Sequence, residues 1–115
     1  MARKIPLMDL MWLLAETQSS PIHVCGLILF EKPKGRPRIV HEIVDQYRLA
    51  IPTHPFDCIP DLQGRRVPQW RTASHYDPRY HIQHIALPSG SRYEDLLQLV
   101  SDLHETMLDR ERPLF

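Results

Sequence analysis

The sequence predicts a mixed α/β fold, and three observations carry that expectation. Ile22–Phe30 is apolar on both of its alternating faces, stretches 39–50 and 92–108 repeat apolar residues at helical spacing, and Arg79–Leu87 is an isoleucine-rich segment between two prolines. With 115 residues the chain is one domain by length, and a self-sufficient domain of that size buries roughly 65% of the surface its unfolded chain exposes.

The elements follow in order. Leu7–Thr17 is apolar almost all round, with Asp9 where a helix dipole favours an acid and Ser19-Ser20-Pro21 ending it. It reads as a buried core helix, and the alternative is a lipid-contacting helix using Met8, Leu10, Met11, Trp12, Leu13 and Leu14. In Ile22–Phe30 one alternate set is Ile22, Val24, Gly26, Ile28 and Phe30, and the other is His23, Cys25, Leu27 and Leu29. Such a strand belongs in the middle of a sheet covered on both sides. Cys25 is then expected to be a reduced core thiol, and His23 a hydrogen-bonded core or interface residue.

Lys32–Arg38 reads as a solvated basic loop. Val40, Ile43, Val44 and Tyr47 form one face of an amphipathic helix stopped by Pro52. Prolines at 52, 55, 60 and 68 exclude a long helix or a central strand there, leaving Val67–Arg71 as a short edge strand anchored by Trp70. The segment Arg79–Leu87 reads as a strand. Ser91 and Glu94 are spaced as a capping box, opening a helix through Leu96, Leu97, Val100, Leu103, Met107 and Leu108. Asp109–Arg112 reads as a solvated turn in which Arg112 could pair with an adjoining segment.

Lys plus Arg and Asp plus Glu number 14 each, so no net charge points to nucleic acid. The apolar run near the start contains Asp9 and stops at Glu16 without a small-residue cleavage site, which argues against a secretory leader. No stretch reaches the length needed to span a bilayer, so a cytoplasmic protein is expected. His75, His81 and His84 are the closest histidines, but on a strand His81 and His84 face opposite ways and no cysteine has metal-ligand spacing. GxSxG, HExxH and a glycine-rich phosphate loop are all absent from the sequence. From the residues alone, no catalytic or metal-ligating residue is assigned, and no cofactor-binding residue is identified.

Four ordered segments, Pro6–Thr17, Pro21–Phe30, Tyr80–Pro88 and Leu108–Phe115, resemble one family, the bacterial wax ester synthase/diacylglycerol acyltransferases. They are similar to its PLSPMDxxFLxxE opening, its PMHVGGLxxF strand, its YHVRHxALP strand and its LDRxRPLW segment. Cys25 stands where the family has glycine and Phe115 where it has tryptophan. Phe56-Asp57-Cys58-Ile59-Pro60 lacks the family's arginine-rich pattern, which leaves the conformation of 54–66 without a template.

The resemblance implies an acyl-CoA-dependent O-acyltransferase of chloramphenicol acetyltransferase-like or condensation-domain-like fold, with a mixed sheet and flanking helices. It implies acyl-CoA as co-substrate with no bound cofactor, and diacylglycerol or a long-chain alcohol as acceptor. The family's base lies in an HHxxxDG motif after the RPLW-like segment, and this sequence contains no such motif. The expectation is therefore that residues 1–115 form the N-terminal part of such a domain, from a truncated or split gene or as a fragment, and are inactive alone. Expected partners are a complementing C-terminal polypeptide, a membrane or lipid-inclusion surface touched peripherally, and a second copy, but not nucleic acid. The alternative is a stand-alone non-catalytic module that binds acyl chains or a partner.

Overall fold

Where the sequence has its most continuous β-forming stretch, the structure has no sheet. In the computed structural model, which describes residues 2–64 and 67–115, Ile22–Phe30 belongs to no assigned strand. Among the described residues, no backbone–backbone hydrogen bond involves Val24–Phe30. A strand is completed by the ladder it joins, and the chain's own sheet is built elsewhere. Val24 is 98% exposed and Phe30 88%, and Cys25 is an exposed free thiol rather than a core one.

The sheet has three short antiparallel strands in the order β1-β3-β2: β1 is Arg3–Lys4, β2 is Cys58–Asp61 and β3 is Gln69–Thr72. Arg3 pairs with Trp70, and Cys58 through Asp61 pair with Thr72 through Gln69. The expected edge strand around Trp70 is therefore the middle one. The proline rule holds one strand over, because Pro60 sits on the edge strand β2, where a missing N–H is tolerated. Ile5 continues β1 by donating its N–H to the Pro68 carbonyl at 3.1 Å, and it is the most deeply buried apolar residue, at 2% exposure.

Helix α1 (Leu7–Ala15) starts after Pro6, whose carbonyl accepts the Leu10 N–H at 2.9 Å. It is not the buried core helix expected. Only Leu13 is buried, while Leu7, Met8, Met11, Trp12 and Leu14 are exposed. Helix α2 (Ile39–Leu49) lies where the amphipathic pattern puts it, yet it too buries no residue. The basic loop before it turns at Gly35, whose φ of 77° suits glycine, and Arg36 pairs with Glu42 in a solvent-exposed ion pair.

The segment expected as a strand from Arg79 begins instead as a short helix, α3 (Pro78–His81). Asp77 caps it, accepting the Arg79 N–H at 2.9 Å, and Pro78 occupies the first helical position. This local start signal outweighs the isoleucine content, and Gln83–Leu87 continues without a ladder. Both the Nε and an Nη of Arg48 donate to the Ile82 carbonyl, at 3.0 and 2.9 Å, tying α2 to the end of α3.

Helix α4 (Tyr93–Glu105) is capped one residue later than expected. The Arg92 N–H donates to Asp95 Oδ2 at 2.7 Å, while the Ser91 hydroxyl closes the preceding turn on the Pro88 carbonyl. Of the described residues, no helix is long and apolar enough to cross a membrane.

Among the described residues the buried ones are few: Ile5, Leu13, Cys58, Ile59 and Pro113. The radius of gyration is 17.3 Å, against about 13 Å for a compact domain of this length. Large apolar side chains left in water, each worth about 1.5–3 kcal/mol if buried, make a surface that favours association. The isolated chain is therefore expected to raise and blue-shift the emission of a hydrophobic dye and to sediment faster as its concentration rises. A concentration-independent monomer that leaves the dye unchanged contradicts this.

Candidate functional site

Glu16, the residue that follows α1, gathers three parts of the chain. Its Oε2 accepts the Ile22 N–H at 2.7 Å, and its Oε1 lies 3.2 Å from an Nη of Arg110. The same Nη donates to the Leu13 carbonyl, one of the acceptors freed at the end of α1. Glu16 reaches this position because α1 ends at Ala15 and a tight turn, closed by reciprocal backbone bonds between Thr17 and Ser20, returns the chain beside it. With side-chain exposures of 10% for Glu16 and 26% for Arg110, the pair is largely shielded from water. The Asp109–Arg112 stretch is a turn with Asp109 and Glu111 exposed, as expected, but the residue that docks it is the half-buried Arg110, through an ion pair that the sequence reading assigns to Arg112.

Arg112 and the chain end make the next contacts. The Arg112 guanidinium lies 4.2 Å from the centre of the Tyr80 ring, a cation–π contact, and its Nε donates to Asp109 Oδ2 at 3.2 Å. The His81 ring packs nearly parallel to Phe115, at 4.4 Å, and to Tyr76, at 5.1 Å, in a three-ring cluster whose other two members are 6.1 Å apart. Its Nδ1 is 2.9 Å from the Phe115 carbonyl, so that nitrogen carries the proton.

Beside this junction lies an open apolar cleft of about 470 Å³, walled by Val24, Leu27, Val100, Leu103, Leu108 and Phe115. The size is within the usual range for small-molecule sites. Two histidines meet at its edge with ring centres 4.6 Å apart and nearly perpendicular. His104 Nε2 donates to the His23 carbonyl at 3.0 Å, since a carbonyl only accepts. His23 Nδ1 is buried without a hydrogen-bond partner among the described residues and lies 4.0 Å from Glu16 Oε2. His23 is therefore an interface residue, as the sequence suggested, although its own segment is not a strand.

The three histidines closest in sequence do not form a site. His81 is in the aromatic stack, His84 packs edge-on against His41 at 5.1 Å, and His75 lines a separate polar hollow with Asp109, Glu111 and Arg112. Among the described residues, the one cluster with three ligand-type atoms within 4.8 Å is His54, Asp57 and Cys58, which sequence reasoning passed over. Cys58 Sγ donates to Asp57 Oδ1 at 3.1 Å, and His54 Nδ1 is 3.3 Å from the same sulfur. Burial first, then the hydrogen bond to Asp57 and its negative charge, pushes the Cys58 thiol above its ordinary range. The signal available in the sequence was the HPFDC run itself.

The elements that converge here can be compared with known proteins. The family model for the wax ester synthase/diacylglycerol acyltransferase catalytic domain matches residues 6–115. The chain belongs to this family. A probable diacylglycerol O-acyltransferase of Mycobacterium tuberculosis is 39% identical over 111 residues, covering 93% of this chain and 24% of that protein. The O-acyltransferase WSD of Acinetobacter baylyi is 36% identical over 110 residues, covering 93% of this chain and 23% of that protein. A solved wax ester synthase/diacylglycerol acyltransferase from Marinobacter aquaeolei VT8 is 35% identical, with a TM-score of 0.84 over 96% of this chain and 28% of its own. The chain thus spans about a quarter of the length of these relatives.

Within the acyltransferase family pattern, the four segments singled out in the sequence are the ones in contact. Glu16 links the first to the second and, through Arg110, to the fourth. Arg112 and Phe115 then link the fourth to the third at Tyr80 and His81. Replacing Glu16→Ala removes the acceptor of the Ile22 N–H and unpairs Arg110, and it is expected to cost about 2–3 kcal/mol in denaturant unfolding. Glu16→Gln keeps an acceptor and should cost clearly less. A loss below about 0.5 kcal/mol for the alanine variant contradicts the assignment.

The two cysteines give a second check. At neutral pH one equivalent of a thiol reagent should react quickly, at exposed Cys25, and the other slowly, at buried Cys58 with its raised thiol pKa. Peptide mapping that finds Cys58 modified first contradicts this.

Proposed function

We propose that this chain is the N-terminal part of an acyl-CoA-dependent O-acyltransferase that esterifies diacylglycerol or a long-chain alcohol, and that it supplies structure and substrate contact rather than the catalytic base. The observation that carries this reading is the family match over residues 6–115 together with the meeting of three family-like segments at Glu16 and Arg110, the remaining one being joined to the chain's last residues through Arg112 and Phe115. The base in such enzymes belongs to HHxxxDG, which this sequence lacks, so no residue here is given that role.

In this reading residues 1–115 are one part of a chloramphenicol acetyltransferase-like domain. Ile22–Phe30 becomes a covered strand when the remaining sheet is present, either in a longer polypeptide or in a separate complementing one. The unpaired backbone and exposed apolar faces of that segment support this over a self-contained module. The apolar cleft between Val24–Leu27 and α4 holds part of the acyl chain, and the exposed face of α1 contacts a membrane or lipid inclusion from the cytoplasmic side.

Two measurements test the proposal. Incubated alone with palmitoyl-CoA and either a long-chain alcohol or diacylglycerol, the chain is expected to release no CoA above the blank. Substituted for the equivalent quarter of the Marinobacter aquaeolei enzyme, it is expected to sustain ester formation. Turnover by the chain alone, or a folded chimera with no transfer to any acceptor, contradicts it.

A further inference from the structure

We infer that His54, Asp57 and Cys58 form a binding site for a zinc-class divalent cation, with the three side chains as ligands and water completing a fourth position. The site is distinct from the apolar cleft and rests on none of the acyl-transfer reading. It lies in the stretch where the sequence departs from the family pattern.

Three ligand-type atoms already lie together before any ion enters. Metal–ligand bonds of about 2.3 Å to sulfur and about 2.0–2.2 Å to nitrogen and oxygen place neighbouring ligand atoms roughly 3.5 Å apart. Here sulfur to nitrogen is 3.3 Å and sulfur to oxygen 3.1 Å, and all three atoms lie within 4.8 Å of one another. The two distances to sulfur are within a few tenths of an ångström of that spacing, and turning of the His54 ring would bring the third pair to it. The backbone that presents them is already fixed, because the Phe56 N–H donates to the Thr53 carbonyl at 2.8 Å and the Cys58 N–H to the Pro55 carbonyl at 3.3 Å. Cys58 opens β2 opposite Thr72 on the central strand, and the Ala73 N–H donates to the Asp57 carbonyl at 2.8 Å. His54 is exposed, which leaves it free to swing onto the ion and leaves the fourth position to solvent.

The chemistry of the set selects the ion. A thiolate and an imidazole favour zinc-class cations over magnesium and calcium, which prefer oxygen-only shells. A thiolate and a carboxylate carry two negative charges between them, so a divalent cation makes the half-buried site neutral and lowers the cost of holding those charges out of water. On binding, the Cys58 S–H proton leaves to solvent as the metal–sulfur bond forms. Affinity therefore rises with pH until the thiol no longer has to be deprotonated by the metal.

Cobalt(II) is the probe, because thiolate ligation gives an intense near-ultraviolet charge-transfer band. Titration of the chain in reducing buffer near neutral pH is expected to give this band, saturating at one equivalent and bleached by zinc. The exposed variant His54→Gln is expected to weaken cobalt binding at least ten-fold without changing the far-ultraviolet circular dichroism. Cys58→Ser should abolish the band and Cys25→Ser should leave it intact. Absence of the band at millimolar cobalt overturns the inference, as does unchanged affinity in His54→Gln or a band that follows Cys25 instead.

Discussion

The Glu16 carboxylate is the constraint on which the arrangement of this chain depends. One oxygen holds the amide that starts the apolar segment, and the other faces the guanidinium that docks the chain's last residues. A carboxylate shielded to 10% exposure is costly unless both oxygens are occupied. One partner, Ile22, lies just past the turn that follows α1, and the other, Arg110, lies near the far end of the chain, so one side chain fixes a short turn and closes one long loop at once. The Leu13 carbonyl shares the same guanidinium nitrogen, which makes the end of α1 part of the junction.

From that junction the remaining contacts follow along the chain. Arg110 brings Arg112 over Tyr80 and Phe115 onto His81, and Arg48 then couples α2 to the same region through the Ile82 carbonyl. Ile22 at the junction sends Val24–Leu27 along α4, where His104 holds the His23 carbonyl and an apolar cleft opens between the two. The cleft is thus positioned by polar contacts at its edge. Its walls are apolar side chains that the few buried residues of this chain do not cover.

Sequence reasoning reached what local chemistry decides. Helices α1, α2 and α4 were legible from apolar spacing and terminators, and so was the extended character of the Trp70 region. It went astray where a partner decides. Ile22–Phe30 has strand composition, but composition cannot supply a ladder, and the segment lies unpaired. Arg79–Leu87 was misread because the Asp77-Pro78 helix start was given less weight than the isoleucines that follow. Trp70 was placed on an edge because its neighbouring prolines mark an edge, which turned out to be β2. At the junction the family-like segments were visible as words in the sequence, but not that Glu16 and Arg110 join them, since a contact spanning most of the chain leaves no local spacing to read.

The best strand candidate of this chain is anchored at one end, by Glu16 at the Ile22 amide and by His104 at the His23 carbonyl, and among the described residues Val24–Phe30 makes no backbone–backbone hydrogen bond. Amide hydrogen exchange tests this most directly, residue by residue, because protection reports whether each backbone N–H is paired and kept from water. The Ile22 amide is expected to exchange at least about ten-fold more slowly than those of Val24–Phe30, which exchange at nearly the rate of an unfolded chain. Protection of about a hundred-fold or more across Val24–Phe30 in the isolated chain would contradict it, by showing that the segment already has its sheet.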